Sequence, residues 1–188
     1  MITKSAGELC LTLLRHNILA EGRVSEAMSD LKSLETVGVK IVYSIIAAPS
    51  RELMTVHYQK DDAWLIMVGD SILDFQKKHK LLINFNSLEY GQRVLQSLID
   101  YNSDKLMKIC ILFGLDACAQ ARKIVGSINE PGTMRAKYSH DSDYEAALNI
   151  RATQNSIHCS GNASEAVFEI NNFKLANLLP EFELNEYC

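Results

Sequence analysis

Two rhythms of apolar and polar positions run along this chain. Residues 9–14, Leu-Cys-Leu-Thr-Leu-Leu, form a short and nearly continuous apolar run. Such a length suits a strand buried on both faces. Between about residues 25 and 34, Ala27, Met28, Leu31 and Leu34 recur at helical spacing. Gly38 then opens a second strand-like run over 39–48, rich in Val and Ile. Pro49-Ser50 starts a short helix through Leu53, Met54 and Tyr58. The pattern predicts further helices near 71–79 and 88–101, a third strand over 105–113, and a helix over 115–125 that stops at Gly126. A last short strand ends at His158, and a helix follows, with Asn162 as its cap and Glu165 in the capping-box position. Its apolar face is predicted to carry Ala166, Val167, Ile170 and Phe173.

Without the helical middle this order approximates βαββαβ, a ferredoxin-like α+β fold built on an antiparallel sheet. The expectation is a single domain over 1–188, with a helical insertion at about 64–101 and a C-terminal tail at about 175–188. A length of 188 residues supports one sizeable core. A net charge of −4 gives no electrostatic case for nucleic-acid or acidic-membrane partners. No apolar run reaches the roughly 18 residues of a membrane helix, and residues 1–8 lack the apolar core of a signal peptide. A cytoplasmic setting is expected. Cysteines stand at 10, 110, 118, 159 and 188 without a C-x-x-C pair, which argues against a disulfide framework or a zinc site. Cys10 and Cys110 fall in apolar runs and read as buried thiols. The acidic run Asp141-Ser142-Asp143 reads as a solvated turn.

The chemistry concentrates around His158, between a strand end and a helix N-terminus, where backbone N–H groups and a positive partial charge favour anions such as phosphate. Upstream, residues 122–135 hold two arginines, a glycine turn and a hydroxyl. Arginine forks suit phosphate oxygens, and Pro131-Gly132 lets backbone approach a ligand.

Together these segments resemble the nucleoside diphosphate kinase family, which carries R-x-x-x-G-x-T-N, then P-G-T-[IV]-R-G-D, then N-x-[IV]-H-x-S-x-S-x-x-x-A-x-x-E-I. Here the second stretch reads P-G-T-M-R-A-K and the third N-S-I-H-C-S-G-N-A-S-E-A-V-F-E-I. The resemblance extends more weakly over about residues 9–173. The inserted segment is similar to one in some archaeal and bacterial members, with Trp64-Leu65 and Ser87-Leu88-Glu89-Tyr90-Gly91 at the corresponding places.

The resemblance implies transfer of the γ-phosphoryl group of ATP or GTP to a nucleoside diphosphate through a phosphohistidine at His158. It implies that Glu169 orients the imidazole, with Ser160 and the Tyr58 hydroxyl close by. Arg15, Arg122, Thr133 and Arg135 would hold phosphates, Asn155 the sugar and site floor, and Trp64 is a candidate clamp for the base by position only, its first reading being a core residue. Mg2+ would arrive with the nucleotide, without a carboxylate cage of its own. The family forms homo-oligomers, dimers or larger.

Four departures bear on activity. Arg15-His16-Asn17 stands where the family has K-P-D, and the arginine's planar fork does not replace a lysine's point charge. Ile128 replaces a phosphate-binding hydroxyl, Ala136-Lys137 replaces Gly-Asp, and the Asn129–Pro131 loop is about four residues short of the pattern. The alternative to an active kinase is therefore a weakened or inactive kinase-like module that binds nucleotide or protein partners. A ferredoxin-like RNA-binding domain would need a basic face and exposed sheet aromatics, which this pattern lacks.

Overall fold

A computed structural model describes residues 7–180 of the chain. In chain order these form β1 (Glu8–Leu14), α1 (His16–Ala20), α2 (Val24–Lys32), β2 (Lys40–Ala47), α3 (Arg51–His57), α4 (Asp62–Lys78) and α5 (Ser87–Asn102). There follow β3 (Met107–Gly114), α6 (Ala117–Val125), α7 (Met134–Tyr138), α8 (Asp143–Leu148), β4 (Ile157–Cys159) and α9 (Ala163–Leu175). They sort into two compact units. Of the described residues, the first comprises 7–49, Lys105–Ser139 and 156–180; the second comprises Ser50–Asp104 and His140–Asn155.

The first unit is a four-stranded sheet in the order β2-β3-β1-β4, with every neighbouring pair antiparallel. This is the ferredoxin-like arrangement expected from the pattern. The most continuously apolar strands take the middle. Cys10 to Leu14 in β1 and Ile109 to Leu112 in β3 are fully buried, because both of their faces are covered. α6 and α9 pack against β1. Ahead of β2, α2 ends in a 3-10 turn over Ser33–Val37, so Leu34 is buried from that turn rather than from the helix itself. In α9, Ala166, Glu169, Ile170 and Phe173 are buried while Val167 is 55% exposed. Three of the four expected positions therefore face inward, and a carboxylate, Glu169, takes the place expected of Val167.

The second unit holds the inserted segment. α4 starts at Asp62, well before the predicted position near 71, because the Asp61 carboxylate caps it by accepting from the Trp64 N–H at 2.9 Å. α4 and α5 pack very closely. A Cβ at Gly69 would stand 1.7 Å from the Ser87 carbonyl oxygen, and one at Gly91 2.0 Å from that of Leu65, so only glycine fits at either contact. Ile72, Tyr90 and Val94 form the core there, with Phe85 edge-on to Tyr90 at 5.4 Å. The acidic run is not a solvated turn. Asp141 takes both arms of Arg151 at 2.5 and 2.9 Å, Ser142 caps α8, and Asp143 accepts from the Thr153 hydroxyl at 2.7 Å. Among the described residues no helix is long and apolar enough to cross a membrane. Residues 181–188 of the expected tail, and residues 1–6 of the N-terminal stretch, lie outside the described residues.

Candidate functional site

β4 is three residues long, and β1 holds it in register, with Leu13 opposite His158 and Thr12 opposite Cys159. Adjacent side chains of a strand leave on opposite faces. His158 turns toward α9, where its Nε2 lies 2.8 Å from Glu169 Oε1. The other carboxylate oxygen accepts from the Ser160 hydroxyl at 2.5 Å. Ser160 is itself fixed on β1, with its oxygen 3.1 Å from the Leu11 N–H and 3.2 Å from the Leu11 carbonyl. Glu169 is 2% exposed, against the usual fate of a helical glutamate. A carboxylate only accepts, so Nε2 carries the proton and Nδ1 carries the lone pair. The histidine, glutamate and serine are thus brought together.

The helix after the strand is capped as expected at one end of the box. Asn162 accepts from the Glu165 N–H at 2.9 Å, while the Glu165 carboxylate reaches past the cap to the Gly161 N–H at 2.7 Å.

Beside β4, Arg122 from α6 and Arg135 from α7 border a cavity of about 250 Å³ with Gly126, Ser127, Glu130 and Cys159. Arg122 is exposed, while Arg135 is half-buried and tied to backbone. Its Nε donates to the Ile157 carbonyl at 2.9 Å and its Nη1 to that of Gly126 at 3.1 Å. Gly126 sits at φ 55°, ψ −150°, where a Cβ would meet the Thr133 methyl at 2.1 Å. Only glycine allows that turn. The Thr133 hydroxyl caps α7 and reaches the carbonyls of Ser127 at 2.7 Å and Glu130 at 2.8 Å.

Arg15 stands one residue beyond β1, at the cap of α1. Its backbone N–H donates to the Ser156 carbonyl at 2.9 Å, and it is 3% exposed. Tyr58, Trp64 and Asn155 belong to the second unit. Tyr58 is buried at the end of α3, edge-on to His57 at 4.6 Å. Trp64 is half-buried in the first turn of α4, under the Lys60 ammonium at 5.7 Å, which is not a core position. Asn155 is half-buried, its N–H on the Thr153 carbonyl at 2.9 Å. Cys159 and Ser127 line the arginine cavity without having been singled out from sequence. Strand alternation held the signal for Cys159; nothing local marked Ser127.

No protein-family model matches the chain. It is 30% identical over 172 residues to the nucleoside diphosphate kinase of Pyrobaculum aerophilum, an alignment covering 87% of this chain and 92% of that protein. The crystal structure of an NDP kinase from Pyrobaculum aerophilum superposes with a TM-score of 0.78 at 28% identity, over 89% of this chain and 95% of that one. A nucleoside-diphosphate kinase of Borrelia burgdorferi, solved as a transition-state mimic with vanadate and ADP, shares the fold at TM-score 0.68 and 20% identity, over 97% of this chain and 96% of that one.

Proposed function

The chain belongs to the nucleoside diphosphate kinase family, and we propose that it moves the γ-phosphoryl group of a nucleoside triphosphate to a nucleoside diphosphate through a phosphohistidine at His158. The observation that carries this reading is the buried Glu169 carboxylate on Nε2, which leaves Nδ1 as the nucleophilic nitrogen. Nδ1 attacks the γ-phosphorus of MgATP in line, ADP departs, and the phosphoramidate is then passed to the second nucleotide. Phosphoryl transfer asks mainly for placement and charge. Arg122 and Arg135 supply charge beside β4, and Arg15 a third positive group at the end of β1. Mg2+ comes and goes with the nucleotide phosphates.

Thr133 acts on this reading chiefly by fixing the arginine loop, since its hydroxyl is held by backbone. Tyr58, Asn155 and Trp64 keep, as part of the proposal, the roles that the resemblance assigns them. With Arg15 for lysine and Ile128 for a hydroxyl, the chemical step is slower than in a kinase that has both, because a spread charge replaces a compact one. The reading also takes the protein as a cytoplasmic homo-oligomer built on one kinase-like domain with an insertion. The four described cysteines are unbridged, which supports such a compartment.

The test is incubation with γ-labelled ATP and Mg2+. Label is expected on the protein, acid-labile and alkali-stable, and chaseable onto GDP. His158→Ala is expected to abolish labelling with the fold intact. Label that survives in that variant overturns the assignment. A wild-type protein that binds ADP and never takes label leaves the binding-module reading instead.

A further inference from the structure

Cys159 follows His158 in β4 but faces the other way, and it lines the arginine cavity. Its sulfur lies 3.6 Å from that of Cys10 on β1. The two residues sit on the same face of the β1–β4 ladder, diagonal to one another, because Thr12 is the direct partner of Cys159. We propose that Cys159 is a hydroperoxide-reactive thiol and that Cys10 resolves it to a disulfide.

Three observations support this. First, there is a place for the oxidant. Cys159 is 3% exposed, but the cavity it lines has about 250 Å³, ample for a peroxide when a water occupies about 30 Å³. Second, the surroundings favour thiolate over thiol. The Cys10 sulfur is within hydrogen-bond reach, the buried Thr12 hydroxyl stands opposite Cys159 on β1, and Arg122 and Arg135 add positive charge, so Cys159 is held below the usual thiol range while its neighbour Cys10, against Cys118 and Cys159, is pushed up and keeps its proton until it attacks. Cys110 shows the contrast, since burial pushes it up to about 12. Third, the resolving thiol is already in contact.

The steps balance. The Cys159 thiolate attacks one peroxide oxygen; an S–O bond forms, the O–O bond breaks, and the departing alkoxide or hydroxide takes a proton. Sulfur gives up two electrons and the peroxide accepts them. The Cys10 sulfur then attacks the sulfenic sulfur; an S–S bond forms, the S–O bond breaks, and the hydroxide leaves as water with the Cys10 proton.

Closing the bond has a structural consequence. Diagonal neighbours on adjacent strands have Cα atoms about 7–8 Å apart, whereas disulfides take at most about 6.8 Å. The disulfide therefore draws β4 along β1. Ser160, fixed on Leu11 and on Glu169, moves with it, and so does the His158–Glu169 pair. A bond formed under such strain is easily reduced again. The consequence for phosphoryl transfer rests on the function proposed above; the thiol chemistry does not.

The full chain, first reduced, is treated with a small excess of hydrogen peroxide, quenched with an alkylating agent and mapped by peptide mass spectrometry over all five cysteines. A Cys10–Cys159 link, lighter by two hydrogens and reversed by dithiothreitol, is expected. Cys10→Ser should stop at a Cys159 sulfenic acid that dimedone traps, and Cys159→Ser should leave Cys10 reduced. A folded wild-type protein whose Cys159 stays reduced while other thiols oxidise overturns the proposal. So does a Cys159 sulfenic acid in the wild type that Cys10 never captures. His158 labelling is then compared before oxidation, after it, and after reduction, with reversible loss expected. Unchanged labelling in a fully linked protein overturns the coupling. Absence of label even in the reduced protein, with the disulfide mapped as expected, refutes the kinase reading and leaves the thiol pair standing.

Discussion

Glu169 carries more of the site than its place on a helix suggests. A buried, isolated carboxylate is costly, and here two donors satisfy it, the His158 ring N–H and the Ser160 hydroxyl. Glu169→Gln keeps the shape but offers an amide nitrogen that must face one of those donors. The imidazole then rotates or changes tautomer. The rate of His158 phosphorylation is expected to fall at least about tenfold, with ADP affinity unchanged. Single-turnover labelling together with ADP titration checks this, and an equal loss of affinity would make Glu169 a residue of the fold alone. This pairing was legible only through the resemblance, because helical spacing by itself puts a glutamate at the surface. The facing of Cys159 was legible in principle from strand alternation. The anchoring of Arg135 on the Ile157 and Gly126 carbonyls was not, since those acceptors are backbone atoms that only the folded loop brings into reach.

Among the elements, the α4–α5 contact is set by absent side chains. Gly91→Ala would push a methyl group against the Leu65 carbonyl, a backbone atom with no rotamer to yield. Overpacking of this kind costs about 1–3 kcal/mol, so a lower melting temperature with the far-ultraviolet spectrum retained is expected. An unchanged melting temperature would mean that the helices move apart freely. The segment after α7 depends instead on charge. The Arg151 guanidinium holds the Asp141 carboxyl down to about 2. A carboxyl depressed in the folded state stabilises fully above its unfolded value near 3.9, and that contribution fades as pH falls toward 2. Asp141→Asn should cost on the order of 1–2 kcal/mol at neutral pH, and much less at pH 2 to 3. Melting curves of both proteins across that range read the difference, and a cost that does not shrink with acid would point to packing. The strongly periodic or apolar elements, β1, β3 and α5, were legible because their residues share one face or fill one run. α7 and α8, of five and six residues, are too short for any periodicity to show, and their Thr133 and Ser142 caps are what define them. The start of α4 was marked by Asp61, but the near-continuous apolar run Trp64 to Val68 hid the helical period behind it.

For the molecule as a whole, the sheet of the first unit leaves one long edge. β2 is an outer strand of eight residues, Lys-Ile-Val-Tyr-Ser-Ile-Ile-Ala, none of them fully buried, and Ile46 is 49% exposed. Among the described residues no strand pairs with its outer edge, and its apolar residues lie on both faces. Such an edge is a template for a further strand unless charge or a bulge guards it. The one irregularity lies between Ile41 and Tyr43, away from the apolar end of the strand. A second copy of the chain, adding its own β2 across the edge, would satisfy the backbone and cover Ile46. The loop between α6 and α7 offers far less. It is short, and its carbonyls at Ser127 and Glu130 are turned inward onto Thr133. Larger assemblies that depend on it are therefore expected to be weak. The expected outcome is a homodimer at micromolar concentration by sedimentation, without a hexamer that survives dilution. Ile46→Lys should raise the dimer dissociation constant at least about tenfold, since it sets two like charges against each other in the new interface. The isolated fold should tolerate the change, because the position is at the surface. A variant that stays dimeric with unchanged affinity would place the interface elsewhere, and a hexamer persisting at nanomolar concentration would show that the short loop assembles subunits despite its length.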